Sequence, residues 1–148
     1  MDDDDAMALA ALLLAAGSAL VDGIHAGVTA HGFDDLRPAH GFAFARLAPG
    51  GATVSELADH LGVTRQAASQ LTDELIQKGY VERHPHPSDG RARLIVLTER
   101  GWACTRAAEE AAAETIRPWA ARLGEERLRA LRDDLALIAR PGHLRPTW

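Results

Sequence analysis

Arg65, Gln66, Ser69 and Gln70 recur at a spacing that puts them on one face of a helix opening at Thr64, with Ala68, Leu71 and Leu75 on the other face. Arginine offers two donors to guanine O6 and N7, glutamine pairs with adenine N6 and N7, and serine is short enough for a phosphate or a base edge. The unpaired N–H groups at a helix start attract phosphate as well. A second cluster, Ser88-Asp89-Gly90-Arg91-Ala92-Arg93, sets two arginines in a turn, the arrangement that suits a narrow, electronegative minor groove. Here Asp89 reads as the intraloop partner that fixes the direction of Arg91. The bland alternatives are a solvated helix face and a surface ion pair of little energetic weight. Charge gives no help by count, since residues 53–97 hold five Lys and Arg against six Asp and Glu. It helps by position, because Arg65, Arg91 and Arg93 fall at the proposed contact points.

The elements that must hold these residues follow from local chemistry. Thr53-Val54-Ser55-Glu56 is a capping box, in which the Thr53 hydroxyl takes the Glu56 N–H and the Glu56 carboxylate reaches back to the cap. The helix it opens runs through Leu57, Ala58 and Leu61 to Gly62, a left-handed turn residue, and Thr64 caps the next helix, Arg65 to Lys78. Two helices joined so tightly form a helix-turn-helix. Tyr80 to Arg83 and Ala92 to Leu97 then read as a β-hairpin across the turn-rich Pro85 to Gly90. Upstream, Ala6 to about Thr29 is an apolar helix that wants burial on more than one side, and Leu36 to Leu47 is a second, short helix. Asp2 to Asp5 favour the positive end of the first helix dipole, although a like-charge terminus is more often disordered. Downstream, Thr98 caps a long helix to about Ile116, Pro118 is expected to kink or restart it, and Leu128, Leu131, Leu135 and Ile138 stripe a last helix after Gly124. The fold class is therefore mainly α with a small β-hairpin wing. The chain divides into 1–35, 36–98, 99–140 and a loose tail at 141–148.

A chain of 148 residues with 47% hydrophobic and 25% charged residues fits one globular domain and excludes a large multidomain enzyme. Of its net charge of −5, the four aspartates at positions 2–5 carry −4, so the body is near neutral. A single cysteine, Cys104, makes neither an intrachain disulfide nor a four-cysteine zinc site, and a cytoplasmic location is expected. The apolar run Ala6 to Val21 lacks the positive segment of a secretory signal and reads as too short for a membrane span. No Gly-rich phosphate loop, Ser-His-Asp order, His-Glu-x-x-His or helically paired carboxylate is present, so no catalytic residues are assigned, nor a cofactor.

Ser55-Glu56-Leu57-Ala58, Thr64 to Leu71, Gly79-Tyr80-Val81-Glu82-Arg83 and Asp89 to Leu94 through Leu97-Thr98-Glu99-Arg100-Gly101 together resemble the MarR family of bacterial transcriptional regulators. The resemblance is strongest over residues 53–101, about a third of the chain. It implies a homodimer of winged helix-turn-helix subunits whose N- and C-terminal helices interlock as a dimerisation domain. It further implies a repressor on double-stranded DNA with a near-palindromic operator, Thr64, Arg65, Gln66, Ser69 and Gln70 in the major groove and the Arg91 and Arg93 wing in the minor groove. Such regulators are commonly released by a small aromatic or phenolic effector, and a pocket of His25, His40, Phe44 and Trp102 would suit one. Core packing is the competing reading for each aromatic. A redox sensor is disfavoured because family members of that kind carry a cysteine in the first helix, whereas Cys104 lies in the fifth. Metal sensing would need His25, His31 and His40 to meet, and no metal is assigned. A winged-helix module that binds another protein is the remaining alternative, disfavoured because such a face would expose aromatics.

Overall fold

The computed structural model describes residues 2–139, so the expected tail at 141–148 lies outside the described residues. The elements follow in the order α1 (Asp3–Ala30), α2 (Pro38–Leu47), α3 (Val54–Leu61), α4 (Arg65–Gln77), β1 (Val81–Pro85), β2 (Arg93–Leu97), α5 (Glu99–Leu123) and α6 (Glu125–Ile138). The fold is mainly helical with one antiparallel hairpin, as the residue pattern requires.

Three local expectations need correction. The aspartates are ordered within α1: Asp2 caps the helix by accepting the Asp5 N–H at 2.8 Å, and Asp3, Asp4 and Asp5 fill its first turn, where their charge meets the positive end of the dipole. Pro118 lies inside a continuous α5, and the helix ends only where Gly124 takes a positive φ. The first apolar run is not too short for a membrane either, since α1 has 28 residues and is long and apolar enough to cross one by length and composition.

Close approach sets how α1 lies on α5. Gly27 and Gly23 leave room for Ala111 and Thr115, and a Cβ at either glycine would overlap them. The main core lies where α2, α3, α4 and the hairpin converge, with Phe44, Leu47, Leu57, Leu75, Tyr80 and Ile95 buried. Gly62, at φ 65° and ψ 33°, makes the sharp exit from α3, and the Thr53 and Thr64 hydroxyls cap α3 and α4. The reciprocal half of the Thr53 box differs from expectation, because the Glu56 carboxylate turns to the Thr53 hydroxyl at 3.1 Å and to Arg46.

In the hairpin, Val81 pairs with Leu97 and Pro85 with Arg93. Tyr80 stands outside the strand because its N–H closes α4 on the Leu75 carbonyl at 2.9 Å, and its ring enters the core. Ala52 joins the other edge of β2 by exchanging both backbone bonds with Ile95, at 3.0 and 2.8 Å. That leaves β1 as the outer strand, where a proline without a donor is tolerated.

Candidate nucleic-acid interface

On α4, Ala68, Thr72 and Leu75 are buried and fix the rotation of the helix. That rotation leaves Arg65, Gln66 and Gln70 exposed and Ser69 half-buried, so the four predicted side chains share the outer part of one face. The Thr64 hydroxyl accepts the Ala67 N–H at 3.1 Å, which occupies it as a cap. Arg65 opens the helix at its positive end, and the first turn holds no acidic residue. A cation there opposes the dipole, so local stability does not explain it, whereas an anion approaching from outside would.

The wing is tied to this helix. Arg83 on β1 donates to Asp73 on α4 at 2.6 Å. At its base, the Thr98 N–H donates to the Tyr80 carbonyl at 3.0 Å, and the Thr98 hydroxyl to the Gly79 carbonyl at 2.6 Å. At the tip Arg91 and Arg93 are exposed. Asp89 acts differently from expectation: its carboxylate accepts the Arg91 backbone N–H at 3.0 Å, so it sets the backbone of the turn and makes no ion pair with the guanidinium. His86, which residue patterning did not single out, accepts from the Ser88 and Asp89 N–H groups at 3.2 Å each.

The charge balance of the lobe resolves once partners are counted. Glu56 is taken by Arg46, Asp73 by Arg83, Glu82 by His84, and Glu74 by Arg37 and Lys78. Between residues 36 and 98, Arg65, Arg91 and Arg93 are the cations with no ion pair among the described residues. Among the described residues Asp59 and Asp89 of the same span also make no ion pair, so the unpaired cations stand at the helix start and the wing tip with Asp89 beside the latter.

A cavity of about 440 Å³ lies between α1, α2 and α5, walled by Ile24, Val28, Phe42 and Phe44, with His25 and Thr105 among its few polar groups. His25 and Phe44 thus reach the predicted pocket, and His40 and Trp102 do not. Trp102 points outward, 41% exposed, because its neighbours on α5, Gly101 and Cys104, take the inward positions. His40 is fully buried on the far side of α2: its Nδ1 accepts the Arg37 N–H at 2.9 Å, which leaves the proton on Nε2, 3.3 Å from the Glu74 carboxylate. Burial lowers the His40 pKa, and the facing Glu74 only partly offsets this. Glu74 itself, gripped by Lys78 and Arg37, is held down to about 2. The three histidines do not meet, since His31 caps α1 on the Gly27 carbonyl and faces Glu110. No group of three or more metal-ligating residues occurs among the described residues. Cys104 is buried beside the cavity, and burial pushes its thiol up to about 11, the property of a small apolar side chain rather than a reactive one.

A second, partly buried network around the buried Tyr80 ring ties the lobes together. The Tyr80 hydroxyl donates to Asp35 at 2.6 Å, Arg100 donates to that hydroxyl at 3.1 Å and lies over the ring, and Lys78 donates to the Asp35 carbonyl. Burial and the Asp35 carboxylate raise the Tyr80 hydroxyl to about 12.

Comparison with known proteins agrees with this geometry. The MarR family model matches residues 35–92. Rv2011c, an uncharacterized protein of Mycobacterium tuberculosis, is 34% identical over 83 residues, covering 56% of this chain; the match spans 58% of the relative's length. Wild-type MarR from E. coli superposes with a TM-score of 0.71 at 22% identity, over 89% of this chain and 97% of that one. The transcriptional repressor CouR, bound to a 23-mer DNA duplex, superposes with a TM-score of 0.68 at 28% identity, over 90% of each chain. Residues 35–92 thus match the MarR family model, and the chain has the fold seen in MarR-family transcriptional regulators.

Proposed function

We propose that the chain is a cytoplasmic, homodimeric repressor that binds a near-palindromic DNA operator and leaves it when a small aromatic or phenolic effector binds. The observation that carries this reading is that Arg65, Arg91 and Arg93 are left without ion pairs where a helix start and a wing tip would meet a duplex. In it, Arg65, Gln66, Ser69 and Gln70 read the major groove, Thr64 holds the helix start against the backbone, and Arg91 and Arg93 enter the minor groove. The division is a DNA-binding unit at 36–98 between dimerisation helices at 1–35 and 99–140.

The dimer is supported by Met7, Leu12 and Leu14 on α1 and Leu137 and Ile138 on α6, which are between 67% and 85% exposed. A soluble protomer does not leave such a face to water, and a second copy would cover it. Effector release is supported by the cavity at 24–44, whose apolar walls and few polar groups suit an aromatic ligand.

Arg91→Ala tests the DNA reading. Affinity is expected to fall on every sequence tried, and the slope of log affinity against log salt to lose about one. An Arg91→Ala protein with unchanged affinity and slope would remove the wing from the interface. Failure of the unaltered protein to bind any duplex would favour a winged-helix module for a protein partner.

A further inference from the structure

We infer that His86 is a positioning residue for Arg91: its neutral imidazole builds the wing turn that aims the arginine. This rests on the DNA reading above only for the role of Arg91, not for the turn. His86 follows β1 and is half-buried in an otherwise exposed tip. Its Nδ1 accepts two backbone donors, Ser88 N–H and Asp89 N–H, each at 3.2 Å, with the Ser88 hydroxyl at 3.3 Å. The His86 backbone N–H donates to the Ala92 carbonyl at 3.3 Å, and the Ala92 N–H donates to the Asp89 carbonyl at 3.2 Å. Asp89, so held, accepts the Arg91 N–H on its carboxylate at 3.0 Å. One ring nitrogen thus anchors a chain of bonds that ends at the arginine.

Peptide N–H groups only donate, so Nδ1 must present its lone pair and the ring proton must sit on Nε2. The imidazolium carries a proton on both nitrogens, and its Nδ1–H would face the two peptide donors, with only the Ser88 hydroxyl oxygen at 3.3 Å to accept it. Protonation therefore releases Ser88 and Asp89 and, with them, the carboxylate that holds Arg91. The ionisable groups nearest His86 along the chain are those of the wing. Glu82 and His84 are paired at 2.8 Å on β1, Asp89 and Arg91 lie in the turn, and Arg93 stands opposite Pro85 on β2. An asparagine Oδ1 takes nearly the place of the imidazole Nδ1 and does not titrate, so His86→Asn keeps the acceptor and removes the switch.

The test has two arms. In 15N-labelled protein without DNA, the amide signals of Ser88 and Asp89 are expected to move together as pH falls from roughly 8 to 5, and to stay still in His86→Asn, which retains His84. In DNA binding, Arg91→Ala is expected to weaken affinity about tenfold at pH 8 and only about threefold at pH 5.5, while in the His86→Asn background the loss stays about tenfold at both. Amides that do not titrate, or an Arg91 effect independent of pH in the unaltered wing, would overturn the inference. A negligible Arg91 effect at pH 8 would overturn the DNA reading instead, and the amide arm, needing no DNA, separates the two failures.

Discussion

At the residue scale, the side chains behind the interface matter as much as those on it. Glu74 sits on the inner flank of α4 and holds Arg37 at 2.8 Å and Lys78 at 3.0 Å, with the buried His40 at 3.3 Å. That grip removes two cations that would otherwise add to the surface field and fixes α4 against the start of α2. His40 is neutral in this arrangement, because its folded pKa lies below the ordinary 6.5. The unfolded chain then binds the extra proton first, so the stability His40 supplies is complete above pH 6.5 and is lost as pH falls below it. Denaturant unfolding at pH 8 and pH 5.5 is expected to show a larger loss for the wild type than for His40→Asn, which keeps the acceptor for the Arg37 N–H. Equal losses would show that His40 does not couple folding to protons. None of this was readable from spacing: His40 and His86 are found by their partners, which lie across helices or across a turn. The outward placement of Arg65, Gln66 and Gln70 was readable, because a capped helix with a fixed buried face determines what its other face shows.

Elements were legible where local chemistry decides them and illegible where tertiary packing does. Thr53, Gly62, Thr64 and Thr98 mark helix ends by hydrogen bonds and by φ within a few residues, and each stands where that chemistry requires. The bridge at Ala52 has no pattern of its own, since it exists only by pairing with Ile95. The continuity of α5 through Pro118 likewise exceeds what the proline's missing donor suggests. Gly101 illustrates the competition within one position. A Cβ there would gain helix propensity of about 1 kcal/mol. It would also overlap the Tyr80 carbonyl oxygen, which the Thr98 N–H holds at 3.0 Å. Backbone cannot move aside as a side chain can, so Gly101→Ala is expected to destabilise by about 1–2 kcal/mol. Gly41→Ala, in α2 with open space at its Cβ, is expected to be neutral or slightly stabilising. Thermal unfolding of both checks this, and a stabilised Gly101→Ala would show that the wing base yields.

On the scale of the whole molecule, the two ends of the chain are unfinished in one copy. The first half of α1 is exposed along its length, and α6 buries no residue fully. The apolar pattern there was visible in the sequence as a demand for burial; among the described residues of one copy nothing meets it. Leu12→Glu with Leu137→Glu is therefore expected to turn a dimer at micromolar concentration into monomer by sedimentation. The near-ultraviolet spectrum of the winged lobe should persist, since both side chains stand clear of its core. A wild-type protein that sediments as a monomer would refute this assignment and reopen a membrane surface as the partner of α1.

The central claim is sequence-dependent DNA binding, and fluorescence anisotropy of the unaltered protein on the DNA flanking its own gene tests it most directly. A scrambled duplex of equal length serves as reference, and both are titrated with salt. Tight binding to the flanking duplex, much weaker binding to the scrambled one, and a steep salt slope from Arg65, Arg91 and Arg93 are expected. Equal, weak binding to both duplexes with a shallow slope would contradict it.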